Sequence, residues 1–199
     1  MKLILATRNK GKISEFKELL KDTGFEITGI EQYPFLQEVA ETGSTFAENA
    51  ALKAEYVANA TNILAVADDS GLAVDALNGA PGINSARFAG VHGDDQANND
   101  KLLMLLAKVP PEQRTGRFCC AIAITPPGGA TIIVEGVCEG TIASEPKGDK
   151  GFGYDPLFIP EGYKVTMGQM PDEEKNKISH RAKAVAKAHD IIGKVAKGR

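Results

Sequence analysis

Apolar residues fall into short unbroken runs separated by stretches of helical periodicity, a pattern that predicts alternating strands and helices. Lys2 to Ala6 reads as a short buried strand, and the next apolar positions, Ile13, Phe16, Leu19 and Leu20, line one face of a helix that Gly24 should stop. Glu26 to Ile30 is a second strand, followed by an irregular acidic stretch from Glu31 to Glu41. Thr45 and Glu48 form a capping box opening a helix that runs to about Ala60. On that helix Phe46, Asn49 and Lys53 share a face beside Ala50, Ala54 and Val57, so an Asn and a Lys are expected to turn toward a sheet. Ile63 to Val66 is a third strand, and it ends at Asp68-Asp69-Ser70-Gly71.

Gly79-Ala80-Pro81-Gly82 marks a loop, and order resumes at Ser85 to Phe88. Asp94, Asp95, Asn98, Asn99 and Asp100 lack calcium-loop spacing and read as a helix-capping surface loop. An amphipathic helix with Leu102, Leu103, Leu105, Leu106 and Val109 then ends at Pro110-Pro111. Arg117 to Thr125 and Thr131 to Thr141 form a hairpin around Pro126-Pro127-Gly128-Gly129. A Gly-rich loop spans Gly148 to Pro156, and a last helix carries Lys175, Ser179, His180 and Arg181 near its start, with Lys183, Lys187, Lys194 and Lys197 on a solvated face. Early alternation plus a late hairpin predicts an α/β fold with a mixed central sheet flanked by helices.

The 199 residues suit a single domain, and 43% hydrophobic with 25% charged residues is the balance of a globular protein. A net charge of -3 argues against a chain that coats nucleic acid, so any anion site must be a local cluster of Lys and Arg. The apolar run Leu3 to Ala6 is too short for a signal peptide or a membrane span, and a cytoplasmic protein is expected. Cys119, Cys120 and Cys138 sit in strand-like segments without metal-ligand spacing and read as reduced, buried thiols.

Candidate chemistry lies at element junctions. Thr7-Arg8-Asn9-Lys10-Gly11-Lys12 links a strand to a helix N-terminus, where unpaired N–H groups and the dipole favour an anion, although the pattern of a P-loop is absent. Asp68 and Asp69 point to opposite faces of their strand, so one carboxylate at most faces a ligand, suiting a hard cation such as Mg²⁺ held with substrate phosphates. In the Gly-rich loop Phe152 offers a stacking face and Asp155 is stiffened by Pro156. With His180 and Arg181 as donors these are the parts of a nucleoside triphosphate site, and Arg donors match the O6 and N7 acceptors of a 6-oxo purine.

TRNKGK at 7–12, ETGSTFAENAALKA at 41–54, ADDSGLAVDALNGAPG at 67–82 with SARF at 85–88, GFGYDP at 151–156 and EEKNKISHRAKA at 173–184 resemble the signature blocks of the inosine triphosphate pyrophosphatase family. The resemblance covers nearly the whole chain. It implies one domain over 1–199 built as two lobes with a long active-site cleft, a Mg²⁺ requirement, a homodimer, and hydrolysis of ITP, dITP or XTP to the monophosphate and pyrophosphate. Thr7, Arg8, Asn9, Lys10, Gly11 and Lys12 would cradle phosphates, and Lys53 would neutralise their charge. Asp69 would act on the attacking water and hold the metal together with Glu41, while Asp68 would support it. Ser70 would touch substrate, and Phe152, in the segment with Gly153 and Tyr154, would stack on the base. Asp155, Lys175, His180 and Arg181 would surround the base edge and sugar. A non-catalytic nucleotide-sensing module and a pyrophosphatase for modified pyrimidine triphosphates are the competing readings.

Overall fold

A computed structural model describes residues 1–197. The helices are α1 (Lys10–Leu19), α2 (Phe46–Thr61), α3 (Asp95–Leu106), α4 (Asp172–Ile178) and α5 (His180–Lys197). The strands are β1 (Lys2–Leu5), β2 (Glu26–Gly29), β3 (Leu64–Val74), β4 (Thr115–Thr125), β5 (Ile132–Ile142) and β6 (Phe158–Pro160). They form one sheet in the order β2-β1-β3-β4-β5-β6. β1 is parallel to β2 and β3, whereas β5 and β6 are antiparallel, so the sheet is mixed as expected.

The chain divides into two compact units: Met1–Asp69 with Cys120–Gly136 and the chain from Arg181 onward, and Ser70–Cys119 with Val137–His180. β3, β4 and β5 each contribute residues to both. In the first unit strand alternation sorts the core cleanly. Leu3, Leu5, Leu64, Val66, Ile122 and Ile124 pack with Phe16 and Leu20 at α1 and with Ala184, Val185, Ala188 and Ile192 of α5. Their neighbours Ile4, Ala65, Ala67, Ala121 and Ala123 pack with Ala50, Ala54, Val57 and Ala58 of α2. Small residues on both sides of that second layer let α2 lie close to the strands. The second unit has its own core of Leu72, Val74, Leu102, Leu106, Phe118, Leu157, Phe158 and Met167, among others.

Several expectations are corrected. β3 does not end at the paired aspartates but continues to Val74, because both carboxylates find cationic partners and the following Leu72 and Val74 are fully buried. α1 begins at Lys10, so Lys10, Gly11 and Lys12 form its first turn instead of a loop, with Asn9 as cap accepting from the Lys12 N–H. A 3₁₀ turn, Lys21–Thr23, intervenes before Gly24 takes the left-handed conformation. The Thr45 hydroxyl caps α2, but the Glu48 carboxylate bonds Ser44 N and Oγ, leaving the capping box half made. The last helix is two, broken at Ser179, whose ψ of 156° is extended.

The polar cluster is not a surface loop either. Asp94 caps α3, while Asn98 and Asn99 are buried on the helix and bond backbone elsewhere. Cys119, Cys120 and Cys138 form no disulfide, and the last two are buried. Lys183, Lys187 and Lys194 are exposed as expected; the Lys197 side chain lies outside the described residues.

Gly71, where β3 enters the second unit, is an intolerant position: a Cβ there would lie 2.3 Å from Ser85 Oγ and 2.6 Å from the Gly82 carbonyl. Gly71→Ala should lower stability by about 1–3 kcal/mol, read as a lower urea midpoint at unchanged slope; an unchanged midpoint would mean the Gly82–Ser85 turn moves aside freely.

Candidate active site

The alternation that sorts the core also sorts the two aspartates. Asp68 follows Leu64 and Val66 onto the α1/α5 face, and Asp69 follows Ala65 and Ala67 onto the α2 face. Asp68, 2% exposed, receives Lys12 Nζ at 2.9 Å on Oδ1. Its Oδ2 takes Arg181 Nη2 at 2.9 Å and Nε at 3.2 Å, with the Cys120 thiol at 3.7 Å. Arg181 Nη1 bonds Glu15. Burial alone would raise the Asp68 pKa, but Lys12, Arg181 and Lys53 overcome it and hold the carboxyl far below the usual range. The same burial, with Asp68 alongside, pushes the Cys120 thiol up, so it stays protonated.

On the other face Lys53 Nζ lies 2.8 Å from Asp69 Oδ1, 3.1 Å from Glu41 Oε1 and 2.9 Å from the Asp68 carbonyl oxygen. Asn49 Oδ1 accepts from Gly43 N at 2.8 Å, and its Nδ2 reaches Asp69 Oδ2 at 3.4 Å. Burial opposes the charge on Lys53, yet Asp69, Asp68 and Glu41 outweigh it and its pKa rises. Asp69 is shifted upward as well: burial, helped by Glu41, exceeds the pull of Lys53 and Lys12. A carboxylate biased toward accepting a proton beside a fixed cation is the environment a general base needs.

Three oxygens converging on one positive centre also test the metal expectation. Two carboxylates and a backbone carbonyl are hard donors, and Mg²⁺ takes one or two carboxylates with the remainder from substrate and water, so the residues fit. No group of three or more His, Cys, Asp or Glu able to hold a metal occurs among the described residues. In the segment expected to cradle phosphates, Asn9 caps α1, its N–H donates to Thr7 Oγ1, and Arg8 Nη2 donates to the Leu36 carbonyl. The opening turn of α1, with Lys10 and Gly11, presents N–H groups that no helical carbonyl can meet.

Ser70, half-buried, opens the second unit's share of β3. Within this unit Phe152 sits between Gly151 and Gly153, both at positive φ (75° and 62°). Asp155 Oδ2 accepts the Phe152 N–H at 2.8 Å and Lys175 Nζ at 2.7 Å, and that ammonium lies 4.9 Å from the Phe152 ring centroid. A Cβ on Gly151 would fall 2.0 Å from Asp155 Oδ2, so the loop can pass there only as glycine. The Tyr154 hydroxyl donates to the Ser85 carbonyl, and the His180 ring stacks on Phe118 at 4.7 Å. His180 and Arg181, expected as a joint donor set, are divided: His180 belongs to the second unit, while Arg181 Nε, Nη1 and Nη2 are engaged by carboxylates of the first.

Sequence reasoning missed Glu15. A signal existed: Lys12, Glu15, Phe16 and Leu19 stand at i, i+3, i+4 and i+7, which puts an ion pair's worth of charge on the inward face of α1. A cavity of about 220 Å³ lined by Met1, Asn62, Leu64, Pro126 and Val195, among others, contains none of these residues.

Fold and site together define an α/β protein with a buried carboxylate–ammonium centre astride one strand and an anion-accepting helix start beside it. The chain belongs to the Ham1 family, whose model matches residues 3–191. It is similar to a dITP/XTP pyrophosphatase of Desulforamulus reducens, 55% identical over 98% of this chain and 97% of that one. The Bacillus subtilis protein of the same name is 51% identical over 95% and 96%. Among solved structures it resembles a HAM1 protein from Coxiella burnetii (TM-score 0.87, 39% identity, 96% of this chain and 98% of that one). The Staphylococcus aureus Ham1 protein gives a TM-score of 0.85 at 42% identity, with the same coverage.

Because folding depresses the Asp68 pKa, the stability it contributes is complete at neutral pH and is lost as pH falls below the unfolded value of about 4. Asp68→Asn should therefore cost about 3–5 kcal/mol near pH 7 by taking the carboxylate away from Lys12 and leaving Arg181 to Glu15, and its urea stability should decline less steeply than that of wild type as the pH is lowered from 5 to 2. Parallel pH profiles would show that Asp68 is not the charged partner of Arg181.

Proposed function

We propose that this protein is a nucleoside triphosphate pyrophosphatase that hydrolyses deaminated purine triphosphates (dITP, ITP and XTP) to the monophosphate and pyrophosphate, with Mg²⁺ as cofactor. The observation that carries this reading is the convergence of Glu41 and Asp69 on the Lys53 ammonium, in a chain whose near-full-length relatives are named dITP/XTP pyrophosphatases.

Phosphate chemistry falls to the first unit. Thr7, Arg8, Asn9, Lys10, Gly11 and Lys12 bind the polyphosphate through the opening turn of α1 and its lysines. Glu41 and Asp69 would hold Mg²⁺, which would offset charge on the phosphates. Asp69 orients a water and takes its proton as the water oxygen bonds to phosphorus; the α–β phosphoanhydride bond breaks and pyrophosphate carries the electron pair away. Lys53 fixes the Asp69 carboxylate and faces the charge growing on the phosphoryl oxygens.

Base recognition falls to the second unit, where Ser70 touches substrate and Phe152, in its segment with Gly153 and Tyr154, stacks on the purine. Asp155, Lys175 and His180 face the base edge and sugar. Arg181 completes that set in the family pattern, and its bonds to Asp68 and Glu15 make it a brace for the catalytic strand as well. Donors aimed at O6 and N7 reject adenine, whose amino group would leave them unpaired. A homodimer and a cytoplasmic setting belong to the same reading and rest on the family resemblance; no helix among the described residues is long and apolar enough to cross a membrane.

Pyrophosphate release from ITP, dITP, XTP, GTP, ATP and dUTP, with Mg²⁺ and with EDTA, tests this directly. Fast metal-dependent turnover of the first three alone is expected; tight ITP binding without turnover would replace the enzyme with a sensing module. Asp69→Asn should lower kcat for ITP by about 10²–10⁴-fold with little change in binding, and full activity would remove Asp69 from the mechanism. Lys53→Ala should impair both KM and kcat, since the ammonium both positions Asp69 and meets phosphate charge; unchanged kinetics would confine Lys53 to a structural pairing.

A further inference from the structure

We infer that Asp95 and Asn99, one turn apart on α3, are positioning residues that set the Phe152 ring and through it the affinity for the substrate's base; the inference rests on the function proposed above. The two side chains grip both polar ends of a single residue. The Gly153 N–H donates to Asp95 Oδ2 at 2.7 Å, and Asn99 Nδ2 donates to the Gly153 carbonyl at 2.9 Å.

Phe152 needs such a hold. With left-handed glycines on both sides the segment has little conformational preference of its own, and a freely moving ring would lose rotamer and backbone freedom each time a base stacked on it. Every residue from 152 to 155 is instead tied to something else. The Phe152 N–H bonds Asp155, Gly153 is held by α3, the Tyr154 hydroxyl bonds Ser85, and Asp155 bonds Lys175. The ties to α3 act on the peptide next to Phe152 from outside the loop, on both polar groups of Gly153.

Asn99 is also a poor residue for stability alone. It is 6% exposed, and its Oδ1 is buried with no hydrogen-bond partner among the described residues. A buried amide satisfied on one side only is worse for folding than an apolar side chain of similar shape. The adjacent Asn98 shows the contrast: its Oδ1 accepts from Ala89 N at 2.7 Å and its Nδ2 donates to the Ala86 carbonyl at 3.3 Å. Asn98 is fully used by the fold, whereas Asn99 spends its one good bond on the loop that carries the aromatic.

The test combines kinetics with backbone amide exchange in the absence of nucleotide. Asn99→Ala and Asp95→Ala should each raise KM for ITP about tenfold, the effect of one lost hydrogen bond, with kcat within about twofold. Exchange at residues 151–155 should accelerate by a similar factor while that of β1 stays unchanged. Asn99→Ala should keep its Tm, because the orphaned Oδ1 leaves with the side chain. Asp95→Asn, whose amide oxygen still accepts from Gly153 N, should restore KM. Asp100→Ala, at an exposed position on the same helix bonded to Gln96, should match wild type. Unchanged loop exchange, or faster exchange with unchanged KM, overturns the inference. Wild type that fails to hydrolyse ITP overturns the proposed function instead; loop exchange then decides the hold of α3 by itself, acceleration upholding it and no change sinking it.

Discussion

A carboxylate with almost no access to water survives ionised only if cations are brought to it, and in this protein that requirement falls on Asp68. Its two oxygens collect Lys12 from α1 and Arg181 from the start of α5, and Arg181 is balanced in turn by Glu15. Pairs of this kind contribute little net stability against an apolar alternative, but removing one member is costly, so they act as registry devices. Here the registry concerns three segments far apart in the chain: Asp68 and Arg181 are 113 residues apart. Once Asp68 is held, the neighbouring Asp69 has no freedom of placement, because the pleat turns it to the other face of β3 and toward α2.

The division between the two aspartates follows from that geometry. Asp68 meets a matched set of charges and its acidity is greatly increased, so it stays an anion and a strut. Asp69 shares a single ammonium with Glu41, is mostly buried, and is biased toward accepting a proton. Two identical side chains on adjacent residues thus acquire opposite proton affinities from the elements on each side of one strand. The alanine layer between α2 and the sheet contributes by letting α2 approach closely enough for Lys53 and Asn49 to reach Asp69.

Much of this was readable in advance. Strand alternation, the face shared by Asn49 and Lys53 and the opposite orientations of the aspartates are local consequences of period and stereochemistry. What was not readable depends on partners distant in sequence. Asp-Asp-Ser-Gly has the composition of a turn, and nothing nearby announces that Lys12, Lys53 and Arg181 will neutralise it and let β3 run on to Val74. The single helix expected after Pro171 became two because Ser179 is extended, a break without proline or glycine to mark it. His180 and Arg181 look like one donor set in a linear reading, yet neighbours on one helix point about 100° apart, and α5 sets one ring on Phe118 and the other side chain on Asp68.

The surroundings of Asp69 and of Phe152 reach rigidity by different means. Around Asp69 the parts lie on a strand and a helix, whose backbones are fixed by their own hydrogen bonds, so side-chain ion pairs suffice to complete the geometry. Around Phe152 the backbone turns sharply through two left-handed glycines, and the loop's own tie from the Phe152 N–H to Asp155 is supplemented from outside. Rigidity there has to be borrowed from neighbours, from Lys175 through Asp155 and from α3 through Gly153. The polar run Asp94 to Asp100, which looks like a solvated cap when read along the chain, makes sense as the place where that hold is secured: one helix start supplies a cap for itself, a bond for each polar end of Gly153, and an amide left half unsatisfied because its other half holds the loop.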